Sequence, residues 1–108
     1  MKNSLSEPEE GFDAAMMSIY QRALNECGYR ATRFLQMLFE HRGLETAHIL
    51  LNAPKVSEGY IALWERKRLD LTVEALVLKS EWQSFFSDQE LKIARKRLAD
   101  YGYKFNTE

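Results

Sequence analysis

Few residues in this chain are of the types that bind metals or attack substrates. The sequence contains one cysteine, Cys27, and two histidines, His41 and His48. A single cysteine excludes an internal disulfide and a cysteine-rich metal site, and the spacing of the two histidines matches no ordinary zinc arrangement. The sequence therefore predicts no bound metal and no cofactor.

Motifs for covalent catalysis are also missing. There is no glycine-rich phosphate loop and no serine flanked by glycines. Cys27 lies on an apolar stripe, where a thiol more often packs than reacts. Any fold can bring two carboxylates together, so a catalytic pair stays an open alternative. No spacing in the sequence indicates such a pair. We expect a protein that is not an enzyme, and a small hydrolase or nuclease with an unrecognised site is the most distant alternative.

Helical periodicity organises the whole chain into short segments, each ended by its own stop signal. The first segment covers residues 9–27 and ends at Gly28, the second covers 31–41 and ends at Gly43, and the third covers 44–52. No convincing period-two alternation occurs anywhere, which argues against strands. The pattern predicts an all-α fold with no β-sheet.

Hydroxyl residues mark the starts of the later helices. Ser57 and Thr72 are good N-cap residues, and Ser87 with Glu90 forms the cleanest capping box in the sequence, at the start of a last helix over about 88–101. Because the segments are too short for long parallel seams, we expect a compact bundle of five to six short helices packed at steep angles.

Length and charge bound the remaining possibilities. A chain of 108 residues is long enough for one self-sufficient core. We expect a flexible acidic N-terminal tail over residues 1–8, a single helical domain over 9–103 and a frayed C-terminus over 104–108. The net charge of −1 is unlike that of a typical basic DNA-binding domain. No secretory or membrane-spanning segment is evident, so we expect a soluble cytoplasmic protein.

Basic side chains form three groups that could still bind phosphates if the fold brought them together. The segment 57–78 resembles a helix-turn-helix, but its second helix is mostly apolar and carries Glu74, which favours a packed hairpin. Direct and largely sequence-independent nucleic-acid binding is therefore the alternative function, with Tyr29 or Trp64 available for stacking. Its candidate residues are Arg30, Arg33, Arg66, Lys67, Arg68, Arg95 and Lys96.

The aromatic content favours protein–protein contact instead. Tyr101, Tyr103 and Phe105 lie at the C-terminal end, where some aromatics could stay exposed and bind a partner. Aromatic residues and arginine are the usual anchors of protein interfaces. The leading hypothesis is a non-catalytic interaction or accessory module of a bacterial protein complex, which docks on a partner or on itself through an aromatic and arginine surface.

Three stretches resemble a family of small, all-helical bacterial proteins with no assigned activity. They are CGYRATRFLQM at 27–37, GLETA at 43–47 and LWERKRLDLTVEA at 63–75. The resemblance covers about residues 14–103. It implies an association with restriction, defence or other DNA-transaction machinery, and it implies no cofactor or catalytic residue.

Overall fold

A computed structural model describes residues 7–104, which form five helices and no strand. The all-α prediction is confirmed, and the Cα radius of gyration of 13.4 Å is that of a compact domain. The helices are α1 (Glu7–Cys27), α2 (Thr32–Asn52), α3 (Glu58–Glu65), α4 (Val73–Val77) and α5 (Asp88–Asp100), with 3₁₀ turns at Leu69–Leu71 and Gln83–Phe85.

The predicted ends of the chain lie mostly outside the described residues. This holds for residues 1–6 of the expected tail and for 105–108 of the expected frayed end. The last two residues of the expected tail, Glu7 and Pro8, belong to the first turn of α1. No helix within residues 7–104 is both long and apolar enough to cross a bilayer.

Capping residues and glycines in the sequence predicted most helix ends correctly. The side chains of Ser57, Thr72 and Ser87 each accept a hydrogen bond from the backbone N–H three residues later. Ser87 and Glu90 form the complete capping box. Gly28 adopts a left-handed conformation (φ 69°) at the end of α1.

The break expected between the second and third predicted helices is present, one residue before Gly43. The two predicted helices meet there at a sharp kink, and together they form α2. The residue with unusual backbone angles is Arg42 (φ 68°, ψ 179°), in a region that is almost restricted to glycine.

Asp13 of α1 explains the kink. Its Oδ1 accepts a hydrogen bond from the Gly43 N–H at 2.6 Å, and its Oδ2 accepts one from Nη2 of Arg42 at 3.2 Å. A β-carbon at residue 43 would lie only 2.7 Å from the same Oδ1. Gly43 is thus needed for the close approach of α1, and the strained backbone falls on its neighbour.

The core lies where α1, α2, α4 and α5 meet. Phe12 is fully buried, and its ring packs against Trp82, Phe85 and Phe86 at centroid distances of 5.4–6.1 Å. The aromatic cluster around the 3₁₀ turn Gln83–Phe85 is therefore part of the core. It covers one face of α1.

A buried ion pair holds the C-terminal end of α2. Arg97 of α5 donates to the carbonyls of Leu50 (3.1 Å) and Ala53 (2.6 Å), and also to the carboxylate of Glu74 (2.9 Å). Burial raises the pKa of the Glu74 carboxyl, and the hydrogen bond from Arg97 opposes that rise. Glu74 thus belongs to the core, as the packed-hairpin interpretation of residues 57–78 expects.

Candidate interaction surface

The turn after α1 brings Tyr29 beneath Arg66, the residue that follows α3. Gly28 reverses the chain, and the Tyr29 N–H donates to the carbonyl of Ala23 at 3.0 Å, which fixes the position of the ring. The guanidinium carbon of Arg66 lies 5.0 Å from the ring centroid. This is a cation–π contact between two segments that are far apart in sequence.

The last turn of α3 also meets the last turn of α5. The indole N–H of Trp64 donates to the carbonyl of Tyr101 at 3.2 Å, and the two rings pack edge to face at 5.3 Å. Despite these contacts, Trp64 remains 44% exposed. We use the name aromatic–arginine ledge for the two contacts at the end of α3, that of Arg66 with Tyr29 and that of Trp64 with Tyr101.

Backbone geometry at the end of α3 presents the ledge. Lys67 adopts a left-handed conformation (φ 61°), and the Arg68 N–H closes the helix by donating to the carbonyl of Leu63 at 2.8 Å. This is the usual helix-ending geometry, with lysine in place of the preferred glycine. It leaves the side chains of Arg66 and Lys67 exposed.

Carboxylates neutralise the neighbouring cations. Arg68 contacts Glu26 at 2.8 Å and Asp70 at 3.0 Å, and Glu26 also contacts Arg22 at 2.9 Å. Hydrogen bonds from Arg22 and Arg68 lower the pKa of Glu26 to about 2, and the hydrogen bond from Arg68 lowers the pKa of Asp70. This network is an alternating chain of charges and not a purely positive patch.

The seven candidate phosphate-binding residues are thus brought together only in part. The Arg66–Lys67–Arg68 group meets the turn that carries Arg30, through the Tyr29 contact and the Glu26 network. Arg33 is exposed on α2 beside Tyr29, at the mouth of a cleft. Within residues 7–104, no hydrogen bond or ion pair joins the α5 pair, Arg95 and Lys96, to the other five, and Lys96 contacts Asp100 at 3.0 Å.

The predicted C-terminal docking residues are less available than expected. Tyr101 is half-buried between Tyr60 and Trp64, and Tyr103 is half-buried against a cluster that contains Leu98. Phe105 lies outside the described residues. The exposed aromatic in this region is Trp64, which the sequence analysis considered only for stacking on a base.

The two histidines line one shallow concavity of about 300 Å³ at the kink of α2. Nδ1 of His48 is 2.7 Å from Oε2 of Glu90, while Nδ1 of His41 is 3.7 Å from a carboxylate oxygen of Glu45. Within residues 7–104, no group of three or more histidine, cysteine, aspartate or glutamate side chains has the arrangement needed to hold a metal ion. Instead, His48 and Asn52 hydrogen-bond to the side chain that completes the α5 capping box.

A larger cleft of about 440 Å³ was not anticipated from the sequence. It lies between α1 and α2 on one side and α3 with the start of α4 on the other. No linear motif signals it, because its walls come from residues spread between 19 and 74.

A comparison with protein-family models, with curated proteins and with solved structures finds no match to this chain.

Proposed function

We propose that this protein is a non-catalytic interaction module that docks an acidic protein partner on the aromatic–arginine ledge. The observation that carries the proposal is the exposure of Trp64, which is held by a hydrogen bond to Tyr101 and lies two residues before the exposed Arg66. Tryptophan, tyrosine and arginine are the residue types that dominate binding energy at protein interfaces. A side chain that is already ordered also loses less entropy on binding.

Charge indicates the chemistry of the partner. Arg66 and Lys67 are exposed and make no ion pair within the described residues. An acidic surface would complement them. A symmetric pair of copies would bring these cations against their own equivalents, which disfavours self-association through the ledge.

Nucleic-acid binding is supported less well by the same geometry. Affinity for a phosphate backbone grows with the number of cations that can displace its counterions. Arg68 and Lys96 are already paired with carboxylates, and Arg66 is stacked on Tyr29. The acidic groups of Glu26 and Asp70 would also repel phosphates.

The experiment compares variants in a capture assay from nuclease-treated cell extract. We expect Trp64→Ala and Arg66→Ala to lose at least 90% of a specifically captured partner, since an interface hot spot is worth about 2 kcal/mol or more. Phe39→Ala is the matched control, because Phe39 is 75% exposed on α2 and contacts no ledge residue. The proposal would be refuted if Phe39→Ala lost as much of the captured partner as the ledge variants, or if the ledge variants lost none.

The alternative has its own readout. If capture disappears after nuclease treatment, and if purified protein retards duplex DNA at low salt, the partner is a nucleic acid. That affinity should then fall steeply with added salt and disappear with charge reversal at Arg66 and Arg68. Our proposal predicts no retarded complex.

A further inference from the structure

The cleft between α1–α2 and α3–α4 has the dimensions of a small-molecule site. Its volume of about 440 Å³ lies within the range of roughly 300–1,000 Å³ that is usual for ligand pockets. Its walls are mainly apolar and aromatic, and they include Ile19, Tyr20, Phe34, Met37, Leu63 and Val73. The cleft is partly open to solvent, and its apolar walls favour the apolar part of a ligand over water.

Two opposite charges border this space from different walls. Arg33 comes from α2 and Glu58 from α3, and both are exposed. Among residues 7–104, no side-chain hydrogen bond or ion pair is formed by Arg33 or Glu58. The cleft therefore offers a free guanidinium and a free carboxylate next to an apolar surface.

The α3 wall of the cleft also carries a phenol hydroxyl. The hydroxyl of Tyr29 lies at the same wall, 3.8 Å from the position of a β-carbon on Gly59. A phenol hydroxyl at this position can donate a hydrogen bond to a ligand or accept one from it.

The pair of charges restricts the class of ligand. An amphipathic acid would be attracted by Arg33 but repelled by Glu58. An amphipathic cation would be attracted by Glu58 but repelled by Arg33. A zwitterion satisfies both, since a carboxylate can accept two hydrogen bonds from the guanidinium and an ammonium can donate to the glutamate. We propose that the cleft binds a small zwitterion with an apolar body, of the class of the aromatic α-amino acids.

Isothermal titration calorimetry of the full chain tests this with L-tryptophan, tryptamine and indole-3-propionate. These probes share the indole, but the second lacks the carboxylate and the third lacks the ammonium group. We expect saturable binding of tryptophan and at least tenfold weaker binding of each analogue. Hydrogen bonds between charged groups are worth about 1.5–3 kcal/mol, and about 1.4 kcal/mol corresponds to tenfold.

Two variants that remove one charge each assign the contacts. Arg33→Gln should weaken tryptophan binding at least tenfold and leave tryptamine binding unchanged, and Glu58→Gln should weaken tryptophan binding while leaving indole-3-propionate unchanged. Arg95→Gln is the control, because Arg95 is exposed on α5 and outside the cleft. The proposal is overturned if tryptophan does not bind, if an analogue binds as tightly, or if neither cleft variant changes its affinity. Trp64→Ala should not alter this binding, so the result is independent of the ledge.

Discussion

Removing the hydroxyl of Tyr60 should stabilise the protein. Tyr60 is only 2% exposed, and its hydroxyl has no hydrogen-bond partner within residues 7–104. A buried polar group without a hydrogen-bond partner destabilises the folded state by about 1–3 kcal/mol. Removing the hydroxyl leaves a space of one oxygen atom, which destabilises the folded state by less than that. The ring keeps its edge-to-face contact with Tyr101 (5.1 Å) when tyrosine becomes phenylalanine. We therefore expect Tyr60→Phe to gain about 1 kcal/mol in the free energy of unfolding.

Urea unfolding with an unchanged m-value measures this gain directly. The same change should raise the melting temperature by about 4–8 °C in a domain of this size. Tyr29→Phe is the matched control, because Tyr29 is only half-buried, and its stability should stay within about 0.5 kcal/mol of the original. A loss of about 1 kcal/mol or more in Tyr60→Phe would show that the hydroxyl makes a stabilising hydrogen bond and would refute the reasoning.

Alkaline pH provides a second readout for the same residue. Burial raises the pKa of the Tyr60 phenol well above its ordinary value, and the nearby Glu74 carboxylate adds to the rise. A group whose pKa is raised on folding contributes stability that is lost as the pH increases past its unfolded value, about 10 for tyrosine. The original protein should lose this contribution above about pH 10, and Tyr60→Phe should not.

Three further changes test other contacts. Asp13→Ala removes the acceptor of the Gly43 N–H and should destabilise the protein by about 1–2 kcal/mol in urea unfolding; an unchanged midpoint would show that the kink does not depend on this contact. Gly59→Ala places a methyl group at ordinary contact distances in α3 and should stabilise it by about 0.5 kcal/mol, so a loss in melting temperature would contradict the packing. Burial raises the pKa of Glu90, but hydrogen bonds from Ser87, His48 and Asn52 outweigh this and lower it, so stability should fall as the pH drops below about 4.5. Glu90→Gln should reduce this loss of stability at acidic pH. A pH profile of stability identical to that of the original protein would exclude the role assigned to Glu90.

Local rules predicted the helices because their determinants are local. A hydroxyl at Ser57 or Ser87 bonds to an amide three residues away, so the signal and its effect share one turn of chain. The break at Gly43 was predicted from the sequence, but the contact with α1 and the strained residue beside it could not be predicted in this way. The residue under strain is Arg42, because Asp13, about 30 residues earlier, needs the space that only glycine leaves at residue 43.

The aromatic–arginine ledge differs in its residues from the surface that the sequence predicts. The sequence placed the aromatic part of a docking surface at Tyr101, Tyr103 and Phe105, of which Phe105 lies outside the described residues. Tyr101 and Tyr103 are half-buried where the end of α5 packs against other residues, whereas Trp64 is exposed. The contact between Arg66 and Tyr29 joins segments that have no pattern in common, so no periodicity could have revealed it.

The most direct test of docking on the ledge is the response of the two indole N–H signals in a nitrogen-15 NMR spectrum. The chain has two tryptophans, Trp64 on the ledge and Trp82 packed against Phe12. On addition of the partner recovered in the capture assay, the Trp64 signal should shift or broaden while the Trp82 signal stays unchanged. An unchanged Trp64 signal, in a sample whose backbone signals show that the complex has formed, would contradict docking at this surface.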